Sequence, residues 1–191
     1  MAKGIYEIRW HARGGQGAKT AASLVAEVAL VEGKHSQGFP EYGPERMGAP
    51  MRGFTRIAER PIRIHSAVYY PNAVVVLDDT LLDSVDVAEN LAADGVVIVN
   101  SSRPPAEVKG KLSASGRGVF IVDASKISRE EIGRDIPNTP MIGALVRVSG
   151  VVKLETVLED TKKKLSGKFG EKIVQGNLKA VRRGYEEVVQ A

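Results

Sequence analysis

The chain opens with an alternation of apolar and charged residues, which is the pattern of a β-strand with one buried face. Tyr6, Ile8 and Trp10 alternate with charged side chains, and a two-residue period places all three on the same side of a strand. The glycine-rich segment 11–20 (HARGGQGAKT) interrupts this pattern, and the alanine-rich segment 18–31 then carries apolar residues at helical spacing. The opening therefore predicts a strand, a glycine-rich turn and a helix.

Three later apolar runs do not alternate, and they predict strands that are covered on both faces. They lie at 73–77 (AVVVL), 96–99 (VVIV) and 119–122 (VFIV), and they are rich in β-branched residues. Segments 80–91 and 104–112 lie between these runs and carry helical signals. Such an alternation of strands and helices indicates an open sheet with parallel strands.

A hairpin is predicted before these runs, with strands at 51–57 and 61–68 joined by the short turn 58–60. Segment 40–50 (PEYGPERMGAP) precedes it and contains three prolines and two glycines among charged residues. Regular elements do not accommodate this composition. We therefore expect a long loop of defined shape at 40–50.

The end of the chain carries no strand pattern. Apolar residues recur there at spacings of three and four, which predicts helices over 141–148, 154–165 and 169–189. The sequence therefore predicts a three-layer α/β/α fold with a central mixed, mostly parallel sheet and a helical C-terminal segment. At this length we expect a single domain, with 1–136 forming the sheet core and 137–191 the helical part.

Composition indicates an ordinary globular protein and excludes several kinds of site. The sequence has no cysteine, which excludes disulfides and thiolate ligands for an iron–sulfur cluster. The net charge of +4 suits an anionic ligand or partner but does not demand nucleic acid. No apolar run approaches the roughly 20 residues of a membrane span. The first residues resemble no signal peptide, so we expect a cytoplasmic protein that does not bind membranes.

The glycine-rich turn at 14–17 is the strongest candidate for a binding site. Free backbone N–H groups at a turn that opens a helix, together with the helix dipole, favour a phosphate or another anion. Arg13 and Lys19 flank the turn and add positive charge. A P-loop would require glycine at Arg13 and Ala18, and a dinucleotide fingerprint would require it at Thr20. The turn matches neither motif, and a tight turn that binds nothing stays an alternative.

The long loop could also line a site, because loops of this kind often do. Its polar residues include Glu41, Glu45 and Arg46. A pair formed by either glutamate with Arg46 could equally be a brace within the loop. Contact with a ligand and internal bracing are both open on the sequence alone.

Polar residues at element ends are further candidates. Asp78 and Asp79 follow a buried strand, where open α/β sheets gather ligands, but the same position suits a helix N-cap. Asn138 lies at a turn into a helix and could serve as a cap or as a donor into a site. Either role, or both, is compatible with these positions.

No catalytic or metal-binding residue is indicated. His11, His35 and His65 lack the spacing of metal ligands, and no Gly-x-Ser-x-Gly motif is present. Lys179 and Arg182 belong to a basic C-terminal helix, but aromatic residues are too sparse there to indicate nucleic-acid binding. The chain does not look like a self-sufficient catalyst.

Five segments together resemble the gamma subunits of the 2-oxoacid:ferredoxin oxidoreductases. They follow one another in the same order along nearly the whole chain, and the second and the fifth look like the pyruvate branch of that family. One departure is small, because Ala12 precedes Arg13 where many relatives carry glycine. The segments are IRWHARGGQGAKTAA (8–22), FPEYGPERMGAPMRGF (39–54), VVVLDDTLL (74–82), IPNTPMIGALVRVSG (136–150) and AVRRGYEEV (180–188).

The resemblance implies one subunit of a larger enzyme that converts pyruvate, coenzyme A (CoA) and oxidised ferredoxin reversibly to acetyl-CoA, CO2 and reduced ferredoxin. It implies companion subunits of the alpha, beta and delta types, which would hold thiamine diphosphate with Mg²⁺ and the iron–sulfur clusters. The zero cysteine count agrees with that division. The isolated chain is expected to be inactive and to meet ferredoxin only through the complex.

By the same resemblance, this chain would cover the active-site entrance and contribute to binding CoA as a co-substrate. A subunit of a 2-ketoisovalerate or other 2-oxoacid enzyme, a free-standing nucleotide-binding enzyme and a non-catalytic assembly module are the alternatives. The expected CoA contacts are Arg13, Gly14, Gly15, Gln16, Gly17, Tyr42, Glu45, Arg46, Gly48 and Asn138.

Overall fold

A seven-stranded sheet forms the centre of the protein in the computed structural model, which describes residues 4–41, 48–112 and 118–191. The strand order across the sheet is β2-β3-β1-β4-β5-β6-β7. The strands are β1 (Ile5–Arg13), β2 (His35–Pro40), β3 (Pro50–Ala58), β4 (Ala73–Val76), β5 (Val96–Asn100), β6 (Gly118–Val122) and β7 (Val189–Gln190).

The sheet is mixed, as predicted. Strands β1, β4, β5 and β6 are neighbours and run parallel. The pairs β1–β3, β2–β3 and β6–β7 are antiparallel. The three unalternating runs form β4, β5 and β6, and all their residues except the half-buried Val96 and Phe120 are buried, because both faces of these strands are covered.

Helices cover the two faces of the sheet unequally, and the described residues form six of them. They are α1 (Ala18–Val31), α2 (Pro105–Gly110), α3 (Ala124–Ile132), α4 (Asn138–Ser149), α5 (Leu154–Leu165) and α6 (Glu171–Glu187). All but α2 enclose the larger hydrophobic core, which contains Trp10, Ile98 and Met141. Across the sheet, α2 and a 3-10 helix (Asp79–Asp83) cover a smaller core around Val97. This arrangement confirms the three-layer fold.

Helices α4 and α6 cross in direct backbone contact, and glycine makes this possible. A Cβ atom added at Gly143 would lie 2.0 Å from the carbonyl oxygen of Val181, and one at Gly184 would lie 1.9 Å from that of Pro140. Both distances are far inside van der Waals contact. The mutual position of α4 and α6 therefore depends on these two glycines.

The prediction of a second hairpin strand at 61–68 is wrong, because this segment forms no strand. Strand β3 already has β2 on one side and β1 on the other, so it offers no free edge to a further strand. Arg56 instead donates hydrogen bonds to the carbonyl oxygens of Ile64 (3.5 Å) and Ala67 (3.1 Å). The segment is held across the sheet by a side chain rather than by a strand ladder.

The long helix predicted at 80–91 is also wrong. Only the 3-10 helix forms, and turns follow it, with Asn90 at a positive φ of 55°. The Asp86 carboxylate accepts a hydrogen bond from the backbone N–H of Ala88 (3.1 Å), which is the kind of local side-chain bond that competes with helix formation. The helix predicted at 104–112 is present as the short α2.

The C-terminal segment is helical as predicted, except at its end. After α6 the chain forms β7 at the edge of the sheet, and the N–H of Ala191 donates to the carbonyl of Val119 (2.9 Å). Helix α3 is a second element that the sequence patterns did not indicate. Each helix among the described residues is too short or too polar to cross a membrane.

One side of β1 carries buried charged groups. Glu7, Arg9 and His11 alternate with the apolar residues that face α1, so they point to the opposite face of the sheet. Arg56 donates from Nε to Oε1 of Glu7 at 2.7 Å, and the two side chains are only 1% and 11% exposed. Arg9 donates to the carbonyl oxygen of Val87 at 3.0 Å. These polar contacts replace the apolar packing found on the other face.

Candidate functional site

The glycine-rich turn lies at the carboxyl end of β1, where α1 begins. Strands β4 and β5 run parallel to β1, so the residues that follow them reach the same edge of the sheet. Open α/β sheets bind ligands at this edge. The structure brings together the predicted site residues that it describes, which are Arg13, Gly14, Gly15, Gln16, Gly17, Gly48 and Asn138.

Two glycines give the turn its shape. Gly15 has a φ of 101° and Gly17 a φ of 85°, which are values that other residues rarely adopt. A Cβ atom at Gly15 would meet no described atom within 4 Å, whereas one at Gly17 would lie 2.5 Å from Nδ2 of Asn138. Among the described residues, Gly15 therefore leaves room for a ligand beside the backbone. Gly17 allows the side chain of Asn138 to pack directly against the backbone of the turn.

The first turn of α1 is an uncompensated positive helix end. The N–H of Ala21 bonds to the carbonyl of Gly17 (2.9 Å), so the N–H groups of Ala18, Lys19 and Thr20 have no acceptor within the helix. Within the described part of the chain no side chain caps this end, and the first turn contains no acidic residue. Such an end favours an anion through its N–H groups and its dipole.

Arg13 and Gln16 hold the turn in place. Gln16 accepts from the N–H of Arg13 (2.7 Å) and donates to Oδ2 of Asp78 (2.7 Å). Arg13 donates to Oγ1 of Thr80 at 2.9 Å, and its Nε lies 3.4 Å from Oδ2 of Asp78. The polar atoms of both side chains thus tie the turn to the end of β4.

Hydrogen bonds join the end of the long loop to the turn. Gly14 donates to the carbonyl of Ala49 (3.0 Å), and Gly48 donates to the carbonyl of Gly14 (3.3 Å). Arg13 donates to the carbonyl of Gly48 at 3.2 Å. The end of the long loop, at Gly48 and Ala49, therefore lies directly beside the turn.

Three predicted site residues, Tyr42, Glu45 and Arg46, lie outside the described residues. At the start of the same loop, Glu41 forms a two-pronged ion pair with Arg52 of β3, in which Nη2 lies 2.9 Å from Oε1. Glu41 therefore braces the loop against the sheet. The partner of this brace, Arg52, was not indicated by the sequence.

Asp78 serves as the predicted cap and also as an anchor of the turn. It accepts a hydrogen bond from the N–H of Thr80 (3.0 Å) at the start of the 3-10 helix, besides the contacts from Gln16 and Arg13. Burial acts to raise the pKa of this carboxyl. The hydrogen bonds from Thr80 and Gln16, with the charge of Arg13, outweigh burial and hold the pKa below its ordinary value.

We expect Asp78→Asn to destabilise the protein by about 1–3 kcal/mol at neutral pH, because the bonds from Gln16, Thr80 and Arg13 lose a charged acceptor. The folded pKa is lower than the unfolded one, so the contribution of Asp78 is complete above the ordinary value of 3.8 and is lost as the pH falls through the folded value.

Thermal unfolding of both proteins as a function of pH tests this expectation. The two melting temperatures should converge as the pH falls below 3.8. Asp94→Asn, at an exposed position far along the chain, provides the matched control. A difference between wild type and Asp78→Asn that stays constant across this range would contradict the assigned role.

A polar cleft of about 400 Å³ adjoins the turn on the side of β4 and β5. Its lining includes three carboxyl groups, those of Asp78, Asp79 and Asp135, so it suits an amino or hydroxyl group better than a phosphate. Asn100 spans its base by donating to the carbonyl of Leu77 (2.8 Å) and accepting from the N–H of Ser125 (3.0 Å). Polar residues directly after an apolar run could have indicated this role of Asn100.

Asn138 does not cap α4. It is the first residue of that helix, and the preceding Pro137 occupies the cap position without a side-chain hydrogen bond. The Asn138 side chain instead lies against the turn, with Nδ2 3.4 Å from the carbonyl oxygen of Gly17. It therefore connects the start of α4 with the start of α1.

His11 borders the turn in sequence but is not available for chemistry. Its side chain is buried, and Nε2 accepts a hydrogen bond from Nε of Arg9 at 3.1 Å. Burial, with the nearby charges of Arg9 and Arg52, lowers the pKa of His11 to about 3. Among the described residues, no group of three or more histidine or acidic side chains could hold a metal ion.

Known proteins similar to this chain share its length and its fold. Residues 7–187 match the family described as "Pyruvate ferredoxin/flavodoxin oxidoreductase". The pyruvate synthase subunit PorC of Thermotoga maritima is 50% identical over 98% of this chain and 97% of its own. The pyruvate/ketoisovalerate oxidoreductases common subunit gamma of Pyrococcus abyssi is 48% identical over 96% and 97%. The crystal structure of the T. maritima subunit superposes with a TM-score of 0.88 and 46% identity, covering 99% of both chains.

Proposed function

The chain belongs to the pyruvate ferredoxin/flavodoxin oxidoreductase family, and on that premise we propose that its glycine-rich turn holds a phosphate group of CoA in an assembled 2-oxoacid:ferredoxin oxidoreductase. The assembled enzyme would convert pyruvate, CoA and oxidised ferredoxin reversibly to acetyl-CoA, CO2 and reduced ferredoxin. This chain acts there as a gamma-type subunit. It would bind one substrate and cover the site at which its companions carry out the redox chemistry.

The uncapped start of α1 beside Gly15 is the observation that carries this proposal. It offers N–H groups without helical acceptors, a positive helix end and a backbone at Gly15 that no described atom crowds. Arg13 adds a positive charge that is already fixed by Thr80 and Asp78. A phosphate at this point would gain hydrogen bonds without requiring the turn to reorganise.

The remaining predicted contacts follow from this placement. Gly14, Gln16 and Gly17 would act by shaping the turn, and Asn138 would act by holding α4 against it. Tyr42, Glu45, Arg46 and Gly48 would contact CoA or the companion subunit that holds thiamine diphosphate. The polar cleft beside Asp78 would then take an uncharged or amino part of the same molecule.

The redox groups of the reaction would belong to companion subunits of the alpha, beta and delta types. The sequence has no cysteine to bind an iron–sulfur cluster. Among the described residues, no group of three or more histidine or acidic side chains could bind the Mg²⁺ that accompanies thiamine diphosphate. Electrons would therefore reach ferredoxin through those subunits, and the isolated chain would be inactive.

A second 2-oxoacid, 2-ketoisovalerate, is the alternative substrate of the assembly. The relative from P. abyssi carries the name of a subunit common to pyruvate and ketoisovalerate oxidoreductases. A subunit that binds CoA meets the same molecule in both reactions. This chain would then contribute equally to both reactions, and the choice of 2-oxoacid would be made by its companions.

We expect Gly15→Asp to raise the KM for CoA of the assembled enzyme by about tenfold or more, because it adds a negative charge and bulk beside the phosphate. Gly33→Asp is the matched control, since Gly33 also has a positive φ (79°), with no described atom near an added Cβ, but lies at the far end of α1. Both substitutions place an aspartate at a positive φ, so the backbone strain that they introduce is similar.

Steady-state kinetics of the reconstituted complex with CoA, pyruvate and 2-ketoisovalerate measures this effect. The KM for CoA should rise only in Gly15→Asp, while the ratio of rates with the two 2-oxoacids stays unchanged. An equal KM for CoA in Gly15→Asp, Gly33→Asp and wild type would show that the turn does not bind CoA. Tight CoA binding by the isolated chain would instead support a free-standing nucleotide-binding protein.

A further inference from the structure

The turn between α5 and α6 presents exposed apolar and basic side chains together. Phe169 is 52% exposed and Ile173 is 42% exposed. Segment 162–173 contains five lysines and one glutamate. We call the exposed basic and large apolar side chains of this segment the α5–α6 patch, and its members are Lys162, Lys163, Lys168, Phe169, Lys172 and Ile173.

The α5–α6 patch is held by backbone hydrogen bonds. Phe169 and Lys168 both donate to the carbonyl of Leu165 (3.1 Å each), and Ile173 donates to the carbonyl of Gly170 (2.9 Å). An isolated bridge also joins Ser166 to Phe169. A rigid turn that presents an aromatic side chain loses little conformational freedom on binding, which favours its use in a protein interface.

Two of the four lysines of the patch, Lys168 and Lys172, are not explained by stability within this chain. Lys164 pairs with Asp160 (2.7 Å) and with Glu27, but the described residues provide no ion pair for Lys162, Lys163, Lys168 or Lys172. Lys162 and Lys163 suit the negative C-terminal end of α5. Lys172 lies in the first turn of α6, where the positive helix end disfavours a cation.

The exposure of Phe169 is likewise not explained by packing within this chain. It precedes the cap residue Gly170 of α6, a position from which an apolar side chain commonly packs onto the helix. Half of its surface nevertheless remains exposed to water. Exposed aromatic residues near unpaired cations are typical of surfaces that become buried in a complex.

We propose that the α5–α6 patch docks onto an acidic surface with an apolar recess on a companion subunit of the assembled enzyme. The basic side chains require acidic groups on the partner, and Phe169 with Ile173 requires an apolar recess. A second copy of this chain is a poor match, because the net charge of +4 makes two copies repel. Nucleic acid is also a poor match, since one aromatic side chain gives few stacking platforms. The inference rests on the role as a subunit and not on the CoA site.

We expect Lys168→Glu/Lys172→Glu to weaken association with the companion subunits by about tenfold or more at low salt, because two attractive charges become repulsive. The effect should shrink at roughly 0.5 M salt, which screens exposed charges. Phe169→Ser should weaken association at both salt concentrations, since it removes apolar contact. Lys126→Glu and Tyr70→Ser, two exposed positions elsewhere, are the matched controls.

Binding of each variant to the complex of companion subunits is measured by surface plasmon resonance. Zero-length cross-linking of the wild-type complex should join Lys168 or Lys172 to a carboxylate of a companion subunit. The KM for CoA at saturating subunit concentration should stay unchanged, which separates this proposal from the CoA site. Equal association of patch and control variants would overturn it, as would cross-links only to a second copy of this chain. Loss of oligonucleotide binding with unchanged assembly would assign the patch to nucleic acid.

Discussion

Replacement of Gly184 by alanine is expected to destabilise the protein by roughly 3 kcal/mol or more. On helix propensity alone, alanine in a helix interior would be favoured by about 1 kcal/mol. Here the added Cβ would meet the carbonyl oxygen of Pro140 at 1.9 Å and its carbon at 2.6 Å. Backbone atoms of a helix cannot turn aside as a side chain can, so α4 and α6 must separate and lose packing.

Denaturant unfolding of Gly184→Ala, compared with wild type, measures this cost. Gly110→Ala is the control, because Gly110 is also a helical residue, the last of α2, and an added Cβ there meets no described atom within 4 Å. We expect that variant to be neutral or slightly more stable. Equal stability of Gly184→Ala and Gly110→Ala would show that the two helices can shift apart freely. The same separation would move Asn138, at the start of α4, away from Gly17.

Arg56→Met is expected to cost about 3–5 kcal/mol, because it leaves the buried carboxylate of Glu7 without its partner. The guanidinium also donates to the carbonyl oxygens of Ile64 and Ala67, and its carbon lies 5.5 Å from the ring centre of Phe39. Methionine fills similar volume but supplies none of these donors. Segment 61–68 would lose the side chain that holds it across the sheet.

The double variant Glu7→Leu/Arg56→Met tests whether the unpaired charge is the main cost. It removes the stranded carboxylate and should be more stable than Arg56→Met alone. For a protein of this size, each kcal/mol corresponds to about 2–4 °C in melting temperature, so Arg56→Met should melt roughly 6–20 °C lower. Arg129→Met, at an exposed ion pair with Asp135, should change the melting temperature little.

Much of the sheet could be predicted because buried parallel strands leave a plain sequence signal. Strands β4, β5 and β6 are covered on both faces, so their residues form unbroken apolar runs. The strand predicted at 61–68 was wrong because, although the pattern of this segment suits a strand, β3 has no free edge with which the segment could pair. The pairing of β3 with β2 and β1 is a property of the whole sheet that a local pattern does not contain.

The position of the candidate site was likewise predictable, but the internal bonds of the site were not. Clustered glycines between a strand and a helix mark a turn wherever they occur. The contacts of Arg13 with Thr80 and of Gln16 with Asp78 span 67 and 62 residues of sequence. Propensity and periodicity act over a few residues and say nothing about partners at such separations. The buried pair of Glu7 with Arg56 escaped prediction for the same reason.

The interior position of β1, the third strand across the sheet, has a consequence for how the protein is made. Strand β1 is synthesised before the other described strands, yet its two neighbours, β3 (Pro50–Ala58) and β4 (Ala73–Val76), follow much later in the chain. Both edges of a nine-residue strand with Ile8 and Trp10 therefore stay unpaired while the nascent chain grows. Such contacts between distant residues slow folding and leave strand edges open to aggregation. Until β3 and β4 are made, β1 would therefore be a substrate for molecular chaperones that bind extended segments with apolar side chains.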